Sequence, residues 1–205
     1  MGGEDVREDE YSHKGIERAT QIDKNIIESN EYRRKFDNAT HNPKVNKILY
    51  ESAKEMLYDR SGTRYESMRW IDGDTGKIIT EFNNMGKLPD LTGKDHELKV
   101  EYDDNVLHKL KGYNNVVTVH NHPNSTAPSA GDFNSAYKNG YRTGIIVAHN
   151  GRVFKYMSKQ EISDIAYDIT WQKYCNRGYG EIEAQIMTIE QFMRNADITF
   201  EEVLK

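Results

Sequence analysis

Val119-His120-Asn121-His122-Pro123-Asn124-Ser125-Thr126-Ala127-Pro128-Ser129-Ala130-Gly131-Asp132-Phe133 is the stretch on which the reading of this chain turns. Side chains alternate along a strand, so His120 and His122 leave it on one face. Pro123 ends the strand, and the chain turns through a loop into a helix opened by Ser129-x-x-Asp132, a capping-box pattern. Asp132 then sits in the first helical turn, where its carboxylate reaches back toward the histidines. A His pair alone reads as ordinary packing, and Ser-x-x-Asp alone as an ordinary cap. Strand, stop, loop and capped helix together direct His120, His122 and Asp132 to one point. Two imidazoles and one carboxylate leave a fourth position open for water, which marks a catalytic rather than a structural metal site. Zinc, one ion per chain, suits this donor set through its borderline softness.

The surrounding sequence supplies a mixed α/β (α+β) frame with a single sheet of hairpins flanked by helices. Val45, Ile48, Leu49, Ala53, Met56 and Leu57 recur at three and four, predicting a helix over 43–58 with Asn42 as cap, Pro43 in the first position and Gly62 at its end. The period then changes to strands at Tyr65–Asp72 and Ile78–Phe82 around Asp72-Gly73-Asp74-Thr75-Gly76. Residues 83–101 form a polar connection with Gly86, Pro89 and Gly93, long enough to suggest a functional loop beside the cleft. A short helix carrying Val106, Leu107 and Leu110 lies between Asp103 and Gly112, followed by a strand at Val116–His120. After the helix at Ser129–Asn139, strands at Thr143–Ala148 and Arg152–Met157 form a second hairpin around His149-Asn150-Gly151, a type I′ signal. Helices over roughly 159–175 and 181–195 finish the chain. The chain divides into a charged helical N-terminal extension (1–40), a central domain (41–158) and a C-terminal helical extension (159–205). In the first of these, Ile16, Ile22, Ile26, Ile27, Tyr32 and Phe36 suggest an ill-ordered tip followed by one helix that docks on the body.

Composition removes several classes. The 205 residues carry 28 basic and 33 acidic side chains, a net charge of −5, which disfavours a general nucleic-acid binder. Mean hydropathy is −0.87 and no run approaches a membrane span. Cys175 is the one cysteine, so disulfide frameworks, cysteine zinc clusters and paired-cysteine redox motifs are excluded. These features, with no signal-peptide layout at Met1–Asp5, predict a soluble cytoplasmic protein. His96-Glu97-Leu98-Lys99-Val100 lacks the second histidine of a His-Glu-x-x-His zinc helix, and no Pro-Cys-x-x-Cys deaminase motif exists. His13, His41, His108 and His149 read as surface or turn residues.

Over about residues 43–157 the chain resembles the JAMM/MPN (JAB) zinc metalloprotease domain family, whose motif is an upstream Glu, then His-x-His-Pro, then Ser-x-x-Asp. His120-Asn121-His122-Pro123 is also similar to RadC-type bacterial members of that superfamily. The resemblance implies a cytidine-deaminase-like core, zinc on His120, His122 and Asp132, and Ser129 in the serine place. Glu66 fits the upstream Glu, at the start of the first strand, better than Glu81 beyond the hairpin turn or Glu51 and Glu55 within the helix. Nine residues separate His122 from Asp132 where ten is commoner in the family; the shortening falls in the Asn124–Pro128 loop. Implied chemistry is hydrolysis of a peptide or isopeptide bond, as in deubiquitinase-like cleavage from a ubiquitin-like modifier. Glu66 would be the proton carrier and Ser129 the oxyanion donor. Implied partners are a protein or peptide substrate, without membrane or nucleic acid. The helical flanks also resemble domains cut from larger bacterial or phage polyproteins. The competing readings are a non-catalytic MPN-type scaffold and a RadC-like DNA-associated protein.

Overall fold

A computed structural model of the chain describes residues 20–83 and 104–204. The tip before Thr20 and nearly all of the polar connection expected to act as a functional loop lie outside the described residues.

Among the described residues one six-stranded mixed sheet organises the fold, its strands running side by side in the order Ile78–Asn83, Ser67–Asp72, Val116–His122, Thr143–Ala148, Val153–Ser158 and Ile198–Glu202. Strands β1 (Ser67–Asp72) and β2 (Ile78–Asn83) form the first hairpin, and β1 pairs antiparallel with β3 (Val116–His122). Strand β3 pairs in parallel with β4 (Thr143–Ala148), which turns back into β5 (Val153–Ser158). Strand β3 runs two residues beyond the expected His120, so both histidines belong to the ladder itself. The turn between β4 and β5 is not type I′. That type needs positive φ at both central residues, and here Gly151 has φ 85° while Asn150 does not have a positive φ. Gly151 N donates to Ala148 O and Ala148 N to Arg152 O, a three-residue loop closed by a left-handed glycine.

Helices cover both faces. On one lies α3 (Pro43–Arg60), capped by the Asn42 side chain on Lys44 N, with Val45, Leu49, Ala53, Met56 and Leu57 buried against Ile71, Val117, Val119, Ile145 and Val147. The described part of the N-terminal segment docks on this same layer as two short helices rather than one, α1 (Lys24–Ile27) and α2 (Asn30–Arg34). Ser29 breaks the run, because its hydroxyl accepts from Tyr32 N and starts a new helix. Ile27, Tyr32 and Phe36 are buried in that layer.

Across the sheet sit α4 (Asp104–Leu110), α5 (Ala130–Asn139), α6 (Asp164–Cys175) and α7 (Glu181–Met193). Met68, Trp70, Phe133, Ile146, Phe154, Tyr156, Tyr167 and Ile189 share their core. The C-terminal stretch is not purely helical: β6 (Ile198–Glu202) adds an antiparallel edge strand to β5. The first of its two helices starts at Asp164, with Ser163 as cap, rather than near 159. Among the described residues no helix is long and apolar enough to cross a membrane.

Candidate metal centre

The parallel pair β3–β4 with its crossover helix α5 creates the site. Polar ligands gather beyond the carboxyl ends of parallel strands in such units, where a helix N-terminus also points. His120 and His122 close β3 on the α5 side, and both are buried. Their Nε2 atoms lie 3.0 Å apart, and Asp132 Oδ1 lies 3.2 Å from His120 Nε2. Asp132 Oδ2 stands 3.8 Å from His122 Nε2. One ligand atom from each of the three residues falls within 4.8 Å of the others, so the group could hold a metal ion. Metal–ligand bonds of about 2.0–2.1 Å at tetrahedral angles give ligand–ligand edges of about 3.3 Å, close to the short separations here.

Protonation suits ligation. His122 Nδ1 faces the Thr126 carbonyl at 3.0 Å, so this nitrogen carries the proton and Nε2 keeps its lone pair. Burial pushes the His122 imidazole down to about 4, with the nearby Asp132 charge opposing, so the ring is neutral at physiological pH. Burial alone would raise the Asp132 carboxyl. Hydrogen bonding and charge from His120, the charge of His122 and the Ser129 hydroxyl outweigh it and hold the carboxyl well below its usual range. A neutral imidazole beside an ionised carboxylate is the state a cation needs. His120 Nδ1 is buried without a hydrogen-bond partner among the described residues.

Ser129 and Asp132 form a full capping box: Ser129 Oγ accepts from Asp132 N at 3.2 Å, and Ser129 N and Oγ both donate to Asp132 Oδ2 at 2.7 Å. Ser129 therefore fixes the carboxylate whose other oxygen faces His120. Glu66 lies immediately before β1, buried, with Oε1 3.8 Å from His122 Nε2. The structure thus brings Glu66, His120, His122, Ser129 and Asp132 together. The runners-up are elsewhere: Glu55 and Glu81 share Arg69, at 2.6 and 3.1 Å, in a surface cluster tying α3 to the hairpin.

Several supporting residues escaped the sequence reading. His149 lies in the turn after β4, within the surface-or-turn expectation, but it is fully buried there. Tyr167 donates to Pro128 O at 2.8 Å, and Gln185 pairs with both Ala127 N and Ala127 O at 2.8 and 2.9 Å. The two C-terminal helices thereby hold the loop that carries Thr126 and leads to Ser129. No local feature of either helix signals these contacts. Ser125, in the same loop, holds φ 66° and accepts from Asn150 N, a conformation uncommon outside glycine.

Comparison of the chain with protein-family models, curated proteins and solved structures returned no match.

Proposed function

We propose that the chain is a zinc-dependent metallopeptidase of the JAMM/MPN kind that hydrolyses a peptide or isopeptide bond, such as a lysine linkage to a ubiquitin-like modifier. The observation that carries this reading is the convergence of His120 Nε2, His122 Nε2 and Asp132 Oδ1, with the Glu66 carboxylate beside them. A scaffold would have no need of that full set. His120, His122 and Asp132 would hold the ion, which when bound polarises the scissile carbonyl and acidifies water at the open position.

The protein groups supply the rest. Glu66, buried next to the ligands, takes the proton of the attacking water and delivers it to the leaving amine. Ser129 first orients Asp132. Turned toward substrate, its hydroxyl donates to the oxyanion, a contribution on the order of 10²–10³ in rate. Thr126 keeps His122 in the tautomer that presents Nε2 to the cation.

The test compares zinc-loaded wild type with Glu66→Gln on a fluorescence-quenched isopeptide joining a Gly-Gly terminus to a lysine side chain. Zinc content should be equal and hydrolysis largely lost in the variant. Equal hydrolysis in both proteins rejects Glu66 as proton carrier.

A further inference from the structure

Asn121 lies between the two histidines but leaves β3 on the opposite face, toward α3. Its side chain is fully buried and fully engaged. Oδ1 accepts from Ser67 N at 2.7 Å, while Nδ2 donates to Tyr65 O at 3.1 Å and meets His149 Nε2 at 3.1 Å. Tyr65 and Ser67 are the residues on either side of Glu66. The β1–β3 register runs from Asp72↔Val116 only as far as Met68↔His120. Continued by two residues it would set Glu66 opposite His122, but there the Asn121 amide stands in for the missing backbone rungs.

The orientation of that amide is itself fixed. His149 Nδ1 faces Thr20 O at 2.7 Å, so Nδ1 carries the proton and Nε2 accepts from Asn121. Thr20 is anchored in turn, donating through N to Pro123 O and accepting through O from Gly62 N. Behind Ser67 N, the Ser67 hydroxyl accepts from the buried Arg60 Nε at 2.7 Å. One planar group offering an acceptor and two donors is what this junction requires, and no smaller side chain supplies it.

We infer that Asn121 is a positioning residue that sets the Glu66 carboxylate at the metal centre through the backbone on both sides of it. This rests on the assignment of Glu66 as proton carrier. Displacement of a reacting group by about 1 Å costs roughly 10²-fold in rate.

The test uses zinc-loaded wild type, Asn121→Ala, Asn121→Asp, Glu66→Gln and the double variant Glu66→Gln/Asn121→Ala. Zinc stoichiometry, kcat and KM on the quenched Gly-Gly–lysine isopeptide, and the visible spectrum of each cobalt-loaded protein are measured. Asn121→Ala should keep its zinc and a near-normal KM while kcat falls by about 10²-fold. The double variant should be no slower than Glu66→Gln alone, because the two changes remove one contribution. An unchanged kcat, or losses that multiply in the double variant, overturns the inference. Should Asn121→Ala fail to fold, Asn121→Asp, which keeps the shape and the acceptor for Ser67 N, carries the same comparison. Absence of hydrolysis by wild type would be a failure of the peptidase reading instead, and the cobalt spectra then decide. Asn121→Ala and Glu66→Gln should alter the bands alike; a wild-type spectrum for Asn121→Ala, or for both, overturns the positioning role.

Discussion

Replacing Ser129 with alanine deletes one oxygen that serves both a helix and a proposed metal ligand. At the helix, Ser129 Oγ is the side-chain acceptor for Asp132 N, one of the amides that α5 cannot satisfy internally. Loss of such a cap costs about 1 kcal/mol. At the ligand, Asp132 Oδ2 loses the hydroxyl but keeps Ser129 N at 2.7 Å, so the carboxylate is loosened rather than freed. Adding a fraction of one charge-assisted bond brings the total to about 1.5 kcal/mol, or a fall of roughly 3–6 °C in Tm for a chain of this size. Zinc affinity should fall roughly 10- to 100-fold, the range found when a partner of a metal ligand is removed. Calorimetry of the metal-free protein reads the first effect, and chelator competition reads the second. Threonine at this position should restore most of both. Unchanged zinc affinity alongside the lowered Tm would refute the ligand-orienting role and leave Ser129 as a helix cap alone.

Two further outcomes test the frame around the site. Gly144 on β4 faces the Tyr156 ring, and a Cβ built there would overlap that ring, which is itself lodged against Phe133 and His120. Gly144→Ala should therefore destabilise the protein by about 1–3 kcal/mol, and a wild-type urea midpoint would contradict this account of β4 and β5. Arg152 donates through Nε and Nη2, each at 2.7 Å, to the Glu202 carboxylate, joining the turn before β5 to β6 and holding that carboxyl below its ordinary value of 4.5. A depressed folded-state value means that the contribution is fully present above pH 4.5 and is lost as pH falls through the lowered value. Discounted for partial exposure it is worth about 0.5–1 kcal/mol, so Arg152→Ala should lose less stability than wild type between pH 6 and pH 3 in urea unfolding. Identical losses would show the pair to be inert.

The parts of the molecule readable from sequence are those whose cause is local. Alternation put His120 and His122 on one face, Ser129 and Asp132 announced a capped helix, and Asn42-Pro43 marked the start of α3. What was missed depends on distant partners. The strand β6 reads Ile-Thr-Phe-Glu-Glu, too short and too acidic to stand out, and it is a strand because β5 offers an edge and Arg152 neutralises Glu202. The turn at His149–Gly151 carries a hairpin signal, but its type follows from the loop closure by Arg152 O rather than from the Asn-Gly pair. His149 is a turn residue, but its burial there was not legible, because nothing in its neighbourhood announces Thr20, which is 129 positions away, or Asn121. Asn121 similarly gives no sign of Tyr65 and Ser67, whose backbone it meets only because β1 and β3 are neighbours in the sheet.

Whether His120, His122 and Asp132 hold one zinc ion, as proposed, is decided by metal analysis of the purified protein combined with an anomalous-scattering map collected at the zinc edge. The expected result is one zinc per chain, an anomalous peak bounded by His120 Nε2, His122 Nε2 and the Asp132 carboxylate, and loss of the metal in a folded His122→Ala variant. Equal zinc content in wild type and His122→Ala, or a peak lying elsewhere in the molecule, would contradict it.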